Sequence, residues 1–273
     1  MKFLQLSAMA LSLAVCMGLS SCSDDKDEPN GGGEAGKVAT AYENGVPSQI
    51  GDVKLTVGAD GRVTSMRDED DECNVTIKYG AVSRATNYDG TITISEWDED
   101  GDIVFYFQLN DKGFIKYALE IESDGGQEEW WFNYNADNQL NYMKRTEGDN
   151  EVTNITYADG NITSVKMRDD NDEGGDWTIS YGTTKIENKG CLMLFDETFG
   201  IDMDEMKYGY IAGLLGKATK NLPASNHYVG HNSDWDSEDT ETYTWTLNAN
   251  GFPTKLVSTE TPGNYTEDMT FVW

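Results

Sequence analysis

The chain has 273 residues, enough for one large domain or two small ones. Hydrophobic residues make up 38% and charged residues 25%, a balance that excludes both a disordered chain and a helical membrane protein. Against 49 Asp+Glu stand only 20 Lys+Arg, a net charge of -29, which excludes nucleic acid as a natural partner because phosphate binding needs a basic footprint.

The N-terminus is an address. Lys2 supplies a positive charge, residues 3–18 are apolar and small, and Leu19-Ser20-Ser21-Cys22 closes the segment. The segment is too short to span a bilayer and has the layout of a secretory signal. Leu19 to Cys22 resembles the bacterial lipobox, in which the Cys is acylated and becomes the new N-terminus. The acidic run Ser23-Asp24-Asp25-Lys26-Asp27-Glu28 resembles the surface-export signal of Bacteroidota lipoproteins. It leads into a Gly-rich tether with no packing capacity. The predicted plan is a signal peptide over 1–21, a lipidated Cys22 with tether over 22–36, and one folded domain over 37–273. Cys16 leaves with the signal. Cys73 and Cys191 remain, and both a disulfide between them and two free thiols fit an extracytoplasmic protein.

The body repeats one unit: an alternating strand end, a Gly or Asn turn, then another alternating strand. The copies start at Leu55, Phe107, Phe132, Ile155 and Trp245, with Gly61, Gly113, Asn138, Gly160 and Gly251 at the turns. A left-handed turn position selects Gly and then Asn, because other side chains clash there. Ile103, Phe105, Phe107 and Leu109 predict one buried face. Ile115, Tyr117, Leu119 and Ile121 predict the same across the turn, and Met269, Phe271 and Trp273 alternate at the C-terminus. Acidic runs, such as residues 68–72, 98–102, 122–129, 147–151, 169–176 and 234–239, fall mostly between the hairpins. In an up-and-down meander alternate connections lie at opposite rims, which predicts one rim of tight neutral turns and one of acidic loops. The predicted fold is all-β: an antiparallel up-and-down meander curled into a partly or fully closed barrel.

Residues 191–232 break the alternation. Met203, Met206, Tyr210, Ile211, Leu214 and Leu215 have helical spacing, which predicts one helix over 202–220, capped by Asp202 and stopped at Pro223. Its predicted place is over an open edge or end of the sheet.

The signal, the acidic tether, the glycine-turn meander and above all the segment over 208–223 resemble a family of Bacteroides lipoproteins known as a domain of unknown function with a porin-like fold. The resemblance covers roughly residues 50–273. It implies a barrel and carries no catalytic residues. The hairpins are also similar to tyrosine-aspartate repeats of secreted bacterial proteins. Pore formation is not implied, because a lipid-facing strand needs an unbroken apolar outer band, and Lys116, Glu120, Asn133, Asn141, Lys144 and Asn154 interrupt it.

Chemistry-bearing residues are sparse. His227 and His231 are spaced i,i+4, but their polar, Gly-containing surroundings predict a loop. Asp98, Asp100, Asp102, Asp170 and Asp172 sit in acidic loops with Ca²⁺-like composition, although none has EF-hand spacing. Trp130, Trp177, Trp245 and Trp273 read as core, whereas Trp97, Trp131 and Trp235 are candidates for stacking on sugar rings. No nucleophile elbow, phosphate loop or Cys-His dyad is present. The expectation is a non-catalytic, surface-exposed outer-membrane lipoprotein that binds an extracellular ligand, a glycan first. A structural partner in an envelope complex comes second, and a hydrolase with an unfamiliar site third. A cleft holding close carboxylates with shifted pKa values would favour the hydrolase.

Overall fold

The computed structural model describes residues 40–80, 82, 87–97, 101–146, 150–231 and 238–273. Its strands are β1 (Gln49–Ile50), β2 (Val53–Val57), β3 (Val63–Asp68), β4 (Cys73–Tyr79), β5 (Gly90–Glu96), β6 (Asp102–Leu109), β7 (Ile115–Ile121), β8 (Gln127–Tyr134), β9 (Leu140–Arg145), β10 (Glu151–Ala158), β11 (Asn161–Arg168), β12 (Gly174–Ser180), β13 (Ile186–Glu187), β14 (Asn221–Leu222), β15 (Ser225–His231), β16 (Glu238–Leu247), β17 (Pro253–Thr261) and β18 (Thr266–Val272). Sixteen of them form a closed antiparallel barrel, each paired with its neighbour in sequence except where β12 meets β15 and where β18 closes on β1. β13 and β14 pair separately at the base of the segment inserted between β12 and β15.

The repeated hairpin has a physical cause. Each of the five copies carries a register shift, at Thr56/Val57, Gln108/Leu109, Asn133/Tyr134, Thr156/Tyr157 and Thr246/Leu247. In three of them an Asn side chain builds the turn. Asn110 Oδ1 accepts from the amides of Lys112 and Phe114, Asn135 Oδ1 from Asp137 and Gln139, and Asn248 Oδ1 from Asn250 and Phe252. The residue that closes each of these turns is left-handed, Gly113 at φ 86°, Asn138 at 64° and Gly251 at 84°.

The two rims differ as the meander predicts. Connections after β2, β6, β8, β10 and β16 are tight turns at one end. Those after β3, β7, β11 and β17 lie at the other end, where the acidic runs over 68–72, 122–129 and 169–176 fall.

The interior is apolar, the reverse of a water-filled porin. Ile92, Phe105, Phe107, Ile115, Trp130, Phe132, Leu140, Ile162 and Val165 point inward from strands around the barrel and are essentially inaccessible. Much of the outer wall is polar: Lys54 pairs with Glu69, Lys166 with Asp176 and Lys255 with Asp268, and Thr242, Thr244 and Thr246 are exposed along β16, whereas Tyr117, Leu119, Ile121 and Trp131 form an apolar stretch on β7 and β8.

What fills the barrel is the inserted segment. It does not form one helix over 202–220, and it does not cover an edge. It contains α1 (Phe195–Phe199), a 3-10 turn over Asp204–Met206 and α2 (Lys207–Ile211), joined by irregular chain. Met203, Met206, Tyr208, Tyr210, Ile211, Leu214 and Leu215 are all buried, and within residues 195–211 solvent exposure is confined to the acidic apex at Asp196, Asp202 and Asp204. It touches strands on every side. Tyr208 bonds to Asp68 of β3 and Cys73 of β4, the Ile115 amide of β7 donates to the Leu214 carbonyl, Arg145 of β9 pairs with Asp202, and Tyr243 of β16 donates to the Thr198 carbonyl. It is a plug. The predicted 191–232 insertion also ends early, since residues 225–231 are β15. Gly200 shows how tight the fit is: it ends α1 at φ 62°, and a Cβ there would lie 2.1 Å from Trp177 Nε1.

One predicted face is reversed. Lys116 is the extra residue of the β6–β7 bulge, since Gln108 faces Tyr117 but Leu109 faces Ile115. The bulge flips the strand beyond it. Ala118 and Glu120 therefore point inward, and Tyr117, Leu119 and Ile121 line the outer wall. Glu120 thus belongs to the interior and not to the outer band.

Candidate functional site

The plug leaves one chamber of about 580 Å³ at the acidic end. Its walls are Asp71, Cys73, Ile94 and Glu96 from β4, β5 and the β3–β4 loop. Its floor is the apex of the plug, with Asp196, Glu197, Asp202, Asp204, Glu205, Lys207 and Tyr208. Lys207 is the only cation among these lining residues.

Six acidic groups in and beside the chamber, Asp68, Asp71, Asp196, Glu197, Asp202 and Asp204, are held by specific contacts. Tyr208 Oη lies 2.9 Å from Asp71 Oδ2, 3.0 Å from Asp68 Oδ2 and 3.0 Å from Cys73 Sγ. Lys207 pairs with Asp71 and lies 3.8 Å from Asp68 Oδ2. Burial opposes the Lys207 charge, but Asp71 and Asp68 outweigh it and its pKa rises; burial likewise opposes the Asp71 carboxylate, and Lys207 outweighs it and lowers its pKa. Arg145, nearly inaccessible, reaches Asp202 at 3.0 Å, Glu151 at 3.3 Å and Asp204 at 3.5 Å. Asp196 accepts from the Met203 amide and Glu197 from Tyr210 Oη.

These contacts do not neutralise the cluster. Asp196 keeps contact with solvent yet lies deep between the walls, and this partial desolvation, with Asp202 adding to it, raises its pKa to about 6. Burial and then Asp196 raise Glu197 to about 7, and burial and then Asp204 raise Glu205 to about 7. Acidity continues across the mouth in a 330 Å³ depression beside Asp52, Asp68, Asp70 and Asp268, and in a 320 Å³ one between Asp239, Glu241, Glu260 and Glu267. The chamber is a preformed concentration of carboxylates, able to hold positive charge or to exchange protons near neutral pH.

The residues expected from sequence are scattered. Trp97 is 39% exposed at the acidic end, with the Arg67 guanidinium 4.3 Å from its ring centre. Trp131 points outward as its alternation predicts, between Tyr117 at 5.8 Å and the Lys144 ammonium at 5.4 Å. Each ring therefore has a face taken by a cation, and the two do not share a platform. Trp235, Asp98, Asp100 and Cys22 lie outside the described residues. Asp102 accepts from Ser95, Asp170 from Asn150, and Asp172 faces Arg168 and His231; Asp102 opens β6, whereas Asp170 and Asp172 belong to the β11–β12 connection. His227 and His231 are in β15 and not in a loop. At about 3.3 Å per residue, four strand positions place them roughly 13 Å apart, too far to share an ion. Among the described residues no group of three or more His, Cys, Asp or Glu is arranged to hold a metal ion. Cys73 and Cys191 are both free thiols, the first buried against Tyr208. The expected core tryptophans do pack there: Trp130 is fully buried, and Trp177, Trp245 and Trp273 lean on the core.

Sequence reasoning missed the chamber. Helical spacing over 202–220 places Asp202, Asp204 and Glu205 on a helix, and no motif marks Asp196 and Glu197. The available signal was five acids within residues 196–205, inside the one stretch without strand alternation.

Comparison with known proteins agrees with this architecture. The family model of a domain of unknown function with porin-like fold matches residues 55–255, and the chain belongs to that family. A porin-like protein from Bacteroides uniformis ATCC 8492 is similar in structure, with a TM-score of 0.53 at 17% identity over 81% of this chain and 89% of that one. A porin-like protein from Bacteroides vulgatus ATCC 8482 gives 0.57 at 13% identity over 84% and 98%. At these identities the likeness is one of fold. No curated protein matches the chain.

Proposed function

We propose that this member of the porin-like family is a lipid-anchored outer-membrane protein, exposed at the cell surface, that binds an extracellular oligocationic ligand, such as a linear polyamine, in the acidic chamber. It is a receptor and not a channel. The observation that carries the proposal is the chamber itself: seven carboxylates around one lysine, in a cavity closed below by an apolar plug. Incoming ammonium groups would replace the missing counter-charge and take over carboxylates whose pKa values are raised. Support for an aqueous setting comes from the ion pairs and threonines of the outer wall, which confine its apolar stretch to β7 and β8 and leave it short of a band around the barrel.

The test is titration calorimetry of the protein with spermine, with neutral oligosaccharides and with CaCl₂, at low salt. Spermine is expected to bind, and more tightly at pH 8 than at pH 5.5, because the chamber acids ionise across that range. Absence of heat with spermine overturns the proposal. Binding of an oligosaccharide that is lost on Trp97→Ala would restore the glycan expectation, and Ca²⁺ binding lost in Asp170→Asn would support the acidic loops.

Acid–base hydrolysis is the second candidate, favoured by one specific contrast. Within one chamber Glu205 is raised to about 7 while Asp71 is held low by Lys207, the split that separates an acid from a carboxylate partner. Release of reducing sugar from a polysaccharide panel, abolished in Glu205→Gln, would establish it.

A further inference from the structure

We infer that the tight-turn end of the barrel is a docking face for the bilayer surface that carries the chain's own lipid, so that the acidic mouth opens away from the membrane. This rests on the lipid anchor at Cys22 and concerns which end of the barrel faces it.

Three independent observations place the membrane at the turn end. The first is where the chain enters the fold. The Ala41 amide donates to the Gly213 carbonyl, Tyr42 Oη to the Ile211 carbonyl, and Asn44 Nδ2 to the Lys189 carbonyl. Lys189 in turn reaches the Asn250 carbonyl in the β16–β17 turn, and Lys217 pairs with Glu43. Thr40 is therefore fixed at the turn end, so the shortest path from the fold to the anchor starts there.

The second is apolar surface. Val57, Leu247 and Val272 are 41%, 39% and 47% exposed, whereas Trp97, Val229 and Tyr265 are exposed toward the other end beside Arg67, Glu238 and Glu267. The first three are each the last residue of a strand, β2, β16 or β18, at the turn end. Beside them Phe252 and Trp273 pack ring to ring at 4.7 Å, with the Lys189 ammonium 5.1 Å from the Phe252 ring. Aliphatic and aromatic groups flanked by lysine suit the headgroup boundary of a bilayer.

The third is charge. At the turn end the acids Glu43, Asp60, Asp89, Asp111, Asp137 and Asp159 are nearly offset by Arg62, Lys112, Lys189, Lys217 and Lys220, whereas the opposite end concentrates carboxylates. An anionic surface repels the acidic end and tolerates the balanced one.

The experiment uses the full-length acylated protein in vesicles of phosphatidylethanolamine and phosphatidylglycerol with a nitroxide on the headgroup. A fluorophore is placed on Asp111→Cys at the turn end or Asp124→Cys at the acidic end, each in a Cys191→Ser background. Position 111 is expected to be quenched at least about two-fold more than position 124, and replacing Val57, Leu247 and Val272 together by Ser is expected to reduce the contrast. Equal or reversed quenching overturns the inference, as does a mass spectrum without acyl chains. Spermine binding to the protein without its anchor is read separately, so failure of the ligand proposal and failure of the orientation are distinguishable.

Discussion

Trp130 Nε1 donates to Glu120 Oε2 at 2.8 Å, a bond between adjacent strands inside the barrel, and the Glu120 side chain is 1% exposed. Its other oxygen, Oε1, has no partner among the described residues. Burial raises its pKa to about 9, against the Trp130 bond that lowers it. The carboxyl is therefore neutral in the fold at pH 7 and ionised in the unfolded chain. A raised folded pKa contributes stability that is complete below about 4.5 and is lost as pH climbs toward about 9. Glu120→Gln keeps the shape and removes the titration. The variant is expected to gain on the native protein as pH rises from 5 to 9, by up to about 1.4 kcal/mol per pH unit. Urea unfolding of both proteins at pH 5, 7 and 9 measures this, and a difference independent of pH would refute it.

The Gly200 position gives a second prediction. A methyl group there meets the Trp177 indole, and the left-handed backbone adds strain. Gly200→Ala is expected to cost about 2–4 kcal/mol, while Gly125→Ala, in an exposed left-handed turn with open space around it, costs only about 1 kcal/mol of backbone strain. Thermal melts of the two variants compare them directly. Equal losses would mean that the plug does not fit tightly against β12.

Arg145 is the cation that ties the plug apex to β9. Arg145→Met leaves Asp202, Asp204 and Glu151 without that partner, and truncating one side of a buried ionic network typically costs about 3–5 kcal/mol. Asp202 and Asp204 are partly exposed, so the lower end, about 3 kcal/mol, is expected. A chemical-denaturation midpoint unchanged within error would show the network to be dispensable.

Within the chamber the proposed ligand should respond to charge in opposite directions. Glu205→Gln is expected to weaken spermine about three- to ten-fold, and Lys207→Gln to strengthen it by a similar factor, since near-surface charge pairs are each worth roughly 1 kcal/mol. Calorimetry at pH 8 reads both. Changes of the same sign would place the ligand elsewhere.

Much of the barrel was legible in the chain because strand alternation and turn chemistry are local. Asn110, Asn135 and Asn248 each organise their own turn, so five hairpins could be recognised without knowledge of their partners. Two failures have one cause. The Lys116 bulge reverses the face of Tyr117, Leu119 and Ile121, and bulge position depends on pairing between strands. The plug spacing of Met203, Met206, Tyr210, Ile211, Leu214 and Leu215 suits an amphipathic helix, but Gly213 and Gly216 take left-handed conformations that break it. A segment surrounded by sixteen strands can bury apolar residues on all sides and keep its acids at one end, and nothing local announces that enclosure. The chamber was hidden for the same reason: its carboxylates come from the plug and from β3–β5, separated by more than a hundred residues.

The ring closes through Gln49 and Ile50 of β1 against Phe271 and Val272 of β18, the first and last strands. The sheet therefore stays open until two strands more than two hundred residues apart meet, and the plug lies between them in the chain. The wall can wrap around its contents, so no segment need be threaded through a finished hoop. The cost falls on speed, because the sealing contact joins the most distant parts of the domain and must wait for the longest loop to close.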